Sequence, residues 1–107
     1  MVNTAINEIY EKKYYDIVKQ ITLEVFDNND CKIFLFGSRA GDKYRRDSDY
    51  DIGIMNIDRK EFILKSMDLE KRIEESIVPH AVDVINFDEA DDFFKSHSLK
   101  KKVIWKN

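Results

Sequence analysis

The sequence holds a single cysteine, Cys31, a single proline, Pro79, and three glycines among 107 residues. A lone cysteine forms no internal disulfide, which excludes a small secreted scaffold held by bridges and suits a reducing cytoplasm. No apolar run approaches the ~20 residues that span a bilayer. The opening Met1-Val2-Asn3-Thr4 lacks the basic and apolar regions of a secretory signal, so no membrane partner is expected. Charge of one sign is lacking too: 18 basic residues meet 21 acidic ones, for a formal net charge of −3. That balance argues against strong generic nucleic-acid binding by bulk charge. Internal repeats and low-complexity tracts are missing. What remains is 43% hydrophobic and 36% charged. This composition builds a globular chain rather than a disordered one, and its length fits one domain over residues 1–107.

Apolar periodicity supplies the elements. Ile6, Ile9, Tyr10, Tyr14, Ile17, Ile21 and Val25 recur at helical steps between about Asn3 and Asp27. Asp27-Asn28-Asn29-Asp30 ends that helix as a polar turn. Lys32 to Phe36 reads as a buried strand that stops at Gly37-Ser38, and Ser48 to Met55 reads as a second. Asp58, with Glu61 three residues on, starts a helix with Phe62, Leu69, Ile73 and Ile77 on its buried face. Pro79 forbids its continuation. Ala81 to Phe87 forms a third strand, Asp88 caps a short helix carrying Phe93 and Phe94, and Val103-Ile104-Trp105 closes the chain as an edge strand. The expected fold is α+β, an α/β sandwich with helices packed on a mixed sheet.

The chemistry concentrates where the glycines do: Gly37, Gly41 and Gly53 fall within one stretch of seventeen residues. Residues two apart in a strand point to one face, so Asp49 and Asp51 project side by side. Adjacent carboxylates repel, and one is pushed toward protonation unless a cation intervenes; hard oxygen ligands suit Mg²⁺. An isolated Asp-x-Asp is common and by itself reads as an exposed strand face. Asp83, alone in the apolar run Ala81-Val82-Asp83-Val84-Ile85, adds weight, because a carboxylate buried there needs a partner or a metal. The strand end at Gly37-Ser38 allows close backbone approach by an anion, with the serine hydroxyl as one more donor. In the loop that follows, Arg39, Lys43, Arg45 and Arg46 are solvated charges or contacts to triphosphate or an incoming acceptor, with Arg39 the strongest candidate. His80 and His97 form no metal-ligand spacing, and no Gly-x-Ser-x-Gly surrounds Ser38 to make it a hydrolase nucleophile.

Together, Gly37-Ser38, Asp49-Tyr50-Asp51 and the later Asp83 resemble the DNA polymerase β-type nucleotidyltransferase superfamily. Gly-Ser-Arg-Ala at 37–40 and Asp-Ser-Asp-Tyr-Asp at 47–51 are similar to its smallest branch, the minimal nucleotidyltransferase (MNT) proteins of bacteria and archaea. The resemblance covers about Tyr10 to Phe87. It implies that Asp49 and Asp51 bridge two Mg²⁺ ions and that Asp83 binds metal on the acceptor side and assists deprotonation of the attacking hydroxyl. It further implies that Gly37 and Ser38 hold the triphosphate and that AMP passes from ATP to a hydroxyl. Members of the branch pair with helical HEPN proteins, and in such pairs the transferase can be an antitoxin that adds AMP to a toxin tyrosine. Transfer to a small molecule is the alternative, weakened because about twenty residues follow the third strand and leave little chain for an acceptor pocket. Steric masking of a partner is another; so are a metal nuclease and a sugar-nucleotide enzyme, both disfavoured by the upstream Gly37-Ser38. Candidate partner surfaces are the loop Arg39–Arg46, which carries Tyr44, and the stretch Leu99–Trp105, whose Trp105 otherwise covers the core.

Overall fold

A computed structural model describes residues 4–41, 44, 47–98 and 100–107. Lys43, Arg45 and Arg46 of the charged loop lie outside the described residues, as does the side chain of Ile6. Helix α1 spans Thr4–Val25 and strand β1 Lys32–Phe36; a single 3₁₀ turn, Ser38–Ala40, leads toward strand β2, Tyr50–Met55. Helix α2, Arg59–Glu74, crosses to strand β3, Val82–Asn86; helix α3, Asp92–Ser98, precedes strand β4, Val103–Lys106. The sheet order is β3-β2-β1-β4. β1 runs antiparallel to β2 and to β4, whereas β2 and β3 run parallel, joined through α2. The mixed sheet with packed helices is the α+β architecture expected from the sequence.

Strand alternation sorts the side chains onto two unlike faces. One presents Ile33, Leu35, Tyr50, Ile52, Ile54, Val82 and Trp105, which pack with Val18, Val25 and Phe26 of the α1 region and Leu69 and Ile73 of α2. The opposite face carries a smaller cluster, Phe34, Phe36 and Phe87, against which Phe94 of α3 stands edge-on or tilted at 5.6–6.1 Å. Gly53 makes that cluster possible: a Cβ there would lie 2.4 Å from Phe34 Cζ and 2.9 Å from Phe87 Cδ1. Two long helices therefore cover one face, and a single short helix covers part of the other.

Several local expectations shift. Asp58 does cap α2, its Oδ2 accepting from the Lys60 and Glu61 amides at 3.1 and 3.3 Å. Asp88 does not cap α3. Its two carboxylate oxygens accept from the Asn56 and Ile57 amides, where Asn56 turns the chain at φ 62°, and Asp91 accepts from the Phe94 amide at 2.7 Å instead. Ile77 lies past the end of α2 and is exposed, as are Ile9 and Tyr10 in the first half of α1. Trp105 is a core residue: its ring stands edge-on to Tyr15 at 5.7 Å and its indole N–H donates to the Tyr15 hydroxyl at 2.9 Å. The tail's one tryptophan is thus withdrawn from the partner surface proposed for it.

Candidate active site

The parallel pairing of β2 with β3 sets Asp51 directly beside Asp83, and the antiparallel pairing sets Asp51 beside Phe36, the last residue of β1. Asp49 precedes β2 by one residue, and its charge reaches Asp51. The three acids named from the sequence thus gather at one end of the less covered sheet face. Burial raises the Asp51 carboxyl above its ordinary value, and the charges of Asp83 and Asp49 raise it further. Asp83 is exposed, not enclosed in an apolar strand as the sequence suggested; it shares with Asp51 the sheet face that carries only the smaller aromatic cluster and the short helix α3. No hydrogen bond or ion pair from another described residue reaches any of the three.

Gly37 stands where β1 meets this group. Its φ of 72° lies in the left-handed region, and a Cβ would sit 2.2 Å from Asp51 Oδ2. Only glycine lets the strand end so close to the carboxylate. Gly37 O accepts from the Ala40 amide and Ser38 O from the Gly41 amide, each at 3.2 Å. That turn leaves Gly37 and Ser38 exposed beside the acids.

Residues 19–107 match the family described as Polymerase beta, Nucleotidyltransferase. The chain belongs to that family. It is similar over 97% of its length, at 26% identity and a TM-score of 0.54, to 87% of a putative nucleotidyltransferase from Sulfolobus solfataricus. At 14% identity and a TM-score of 0.59, 84% of it aligns with 70% of a chain from a solved complex of the tri-AMPylated Shewanella oneidensis HEPN toxin with its MNT antitoxin. A toxin–antitoxin structure with AMP-PNP gives a TM-score of 0.61 at 17% identity, over 81% of this chain and 71% of that one. These last two likenesses are of fold. No curated protein matches the chain significantly.

The nucleotidyltransferase domain has a second polar group, which sequence reasoning missed. Behind β2, on the face opposite the acids, Arg39 is buried. Its Nε donates to Ser48 O at 2.7 Å, and its Nη1 to Glu11 Oε2 at 2.9 Å and Tyr50 Oη at 3.3 Å. Its guanidinium lies 4.3 Å from the Tyr50 ring centre and 4.7 Å from that of Tyr44. The arginine singled out for phosphate is therefore turned inward, where it ties α1 to the residue just before Asp49. Burial pushes the Tyr50 hydroxyl up to about 12 despite the Arg39 charge, so it stays protonated. His80 packs edge-on to Tyr14 and Tyr50 at 6.0 Å. Burial and the Arg39 charge lower its pKa, against the pull of Glu11, Asp49 and Asp47. A neutral imidazole 3.8 Å from Glu11 makes no ion pair, and its Nε2 has no hydrogen-bond partner among the described residues.

The acids suit a hard divalent cation in donor chemistry. They are not drawn into a cage: among the described residues no three His, Cys, Asp or Glu side chains are disposed to hold a metal ion. For Mg²⁺ this is the ordinary case, since it binds through one or two carboxylates completed by substrate phosphates and water. Beside Gly37 and Phe36 a groove of about 550 Å³ opens, walled by α3 and by Lys100 and Lys101. Other hollows along α1, near Asp16 and Lys19, lie away from the acids.

Proposed function

We propose that this nucleotidyltransferase domain moves AMP from ATP to a tyrosine hydroxyl of a helical HEPN-type partner, as the antitoxin of a toxin–antitoxin pair in the cytoplasm. The observation that carries the reading is the convergence of Asp49, Asp51 and Asp83 at one sheet end beside the side-chain-free Gly37. In this reading Gly37 amide and Ser38 hydroxyl hold the β- and γ-phosphates. Arg39 keeps the Ser48–Asp49 backbone in register from behind rather than touching phosphate. Asp49 and Asp51 would hold two Mg²⁺ ions, with Asp83 beside the acceptor; such ions offset phosphate charge and stabilise the attacking and leaving oxygens of an in-line displacement. Asp83, exposed on the edge strand, takes the proton as the tyrosine oxygen bonds to the α-phosphorus and the bond to pyrophosphate breaks. The HEPN partner is supported by the fold's likeness to an MNT antitoxin solved with a HEPN toxin.

Co-expression with a neighbouring HEPN protein tests this, followed by ATP and Mg²⁺ and the intact mass of the partner. Wild type adds whole AMP units; Asp83→Asn adds none and still co-purifies. A partner that is silenced without gaining mass would replace transfer by steric masking.

A further inference from the structure

The groove beside Gly37 is built of two unlike walls. On one, Phe93 and His97 of α3 stack face to face, ring centres 4.9 Å apart at 22°. Phe93 is 73% exposed, although the core a few ångströms away already holds Phe34, Phe36 and Phe87. An exposed pair of parallel rings, one helical turn apart, is a flat platform with no partner of its own among the described residues. On the other wall, Lys101 lies across the turn that follows Gly37: a Cβ on Gly41 would meet Lys101 Cδ at 3.5 Å and its Nζ at 3.6 Å. Lys100 lines the same groove, and Lys102 Nζ sits 5.8 Å from the Phe34 ring centre on the same sheet face. Lys100 and Lys101 thus line the groove on one side of Gly37, and Asp51 stands against it on the other.

We infer that this groove is the nucleoside triphosphate subsite, with the base on the Phe93–His97 platform and the phosphates drawn by Lys100 and Lys101 toward Gly37. The inference rests on the nucleotidyltransferase reading above and adds ligand-holding residues to it. The chemistry matches from end to end. A nucleoside triphosphate is an aromatic plane joined to a run of negative charge, and the groove offers a stacking surface, then cations, then Gly37-Ser38 and the acids. Stacking uses the π-face that every base has, and the remaining aromatic walls, Phe36 and Phe94, add no hydrogen-bonding edge. The subsite therefore holds a base by its plane. The lysines that the sequence placed on a partner surface face the substrate instead.

Titration calorimetry with Mg²⁺–ATP and with inorganic tripolyphosphate tests the assignment. Both pairs of substitutions fall on exposed or groove-lining side chains outside the core. The Phe93→Ala/His97→Ala variant is expected to bind ATP roughly tenfold more weakly and tripolyphosphate as wild type does. The Lys100→Ala/Lys101→Ala variant is expected to lose affinity for both. If wild type and both variants bind ATP equally, while Asp49→Asn/Asp51→Asn loses it, the subsite is overturned and the nucleotidyltransferase reading stands. If wild type binds no ATP with Mg²⁺, both fall.

Discussion

Asp51 sits in a place that disfavours its own charge. Partial burial and the acids on either side raise its pKa from the ordinary 3.8, so at neutral pH the metal-free protein carries an unfavourable carboxylate. Asp51→Asn should then raise the melting temperature of the metal-free protein at neutral pH while abolishing the response to Mg²⁺. The sign follows from linkage: a raised native pKa favours folding at pH below the unfolded value, and that advantage is lost as pH rises through the native one. The gap between variant and wild type should close as the pH falls toward the ordinary carboxylate range; parallel melting curves would count against the argument. Arg39 predicts the opposite behaviour. Its side chain is 3% exposed and paired with Glu11, so Arg39→Ala leaves a half-buried carboxylate without its cation. A loss of about 3 kcal/mol is expected, read by urea unfolding, with Arg39→Lys recovering only part because one ammonium cannot replace the forked contacts. Asp49→Asn, on an exposed residue, should leave stability nearly unchanged. None of the Glu11–Arg39–Tyr50–His80 group was legible in the sequence. Its members come from α1, the turn after β1, β2 and the lead into β3, and no local spacing relates residues that only the sheet brings together.

Elements were easier to read than their ends. β1 has the bounds its apolar run gave, and α2 begins at the Asp58 cap, because both signals are local and strong. β2 starts at Tyr50 rather than Ser48, which leaves Asp49 just outside the strand; an acid beside another acid has no periodicity to fix its backbone. The α3 cap was misassigned because Asp88 and Asp91 both precede the helix, and only tertiary contact sends Asp88 to the Asn56 turn. The helical faces of Ile9 and Tyr10 in α1 and Ile77 after α2 were read as core, yet periodicity cannot say where the sheet stops offering a surface to cover. β4 is the element whose hold on the fold is most specific. Trp105 is buried against Tyr15, and Lys106 Nζ donates to the carbonyls of Phe26, at 3.0 Å, and Asn29. Trp105→Ala should cost about 3–5 kcal/mol. Trp105→Phe, which keeps most of the apolar ring but strands the Tyr15 hydroxyl, should cost about 1 kcal/mol. Chemical denaturation of the pair separates packing from the hydrogen bond; equal losses would mean that the ring's area contributes little.

The molecule is flat, 48 × 30 × 19 Å, and its two sheet faces divide the work. α1 and α2 seal one face and supply most of the core, so the other can leave its end open at Asp49, Asp51 and Asp83 without loss of the fold. Such a frame is packed behind the site and open in front of it, and a ligand seated there should stabilise the whole. No helix among the described residues is long and apolar enough to cross a membrane. A ligand at about a hundred times its dissociation constant adds ~2.7 kcal/mol if it binds only the folded state. In a chain of this size that shifts the melting temperature by on the order of 10 °C. Mg²⁺–ATP should produce a shift of that order. ATP with EDTA should produce much less, because three carboxylates then face the triphosphate without a cation between them. In Asp49→Asn/Asp51→Asn the order should change: the metal-dependent part of the shift disappears, while any residual metal-free binding improves, since two of the repelling charges are gone. Equal shifts with Mg²⁺ and with EDTA in wild type would detach the nucleotide from the acids, and with it the assignment of this sheet end as the reaction centre.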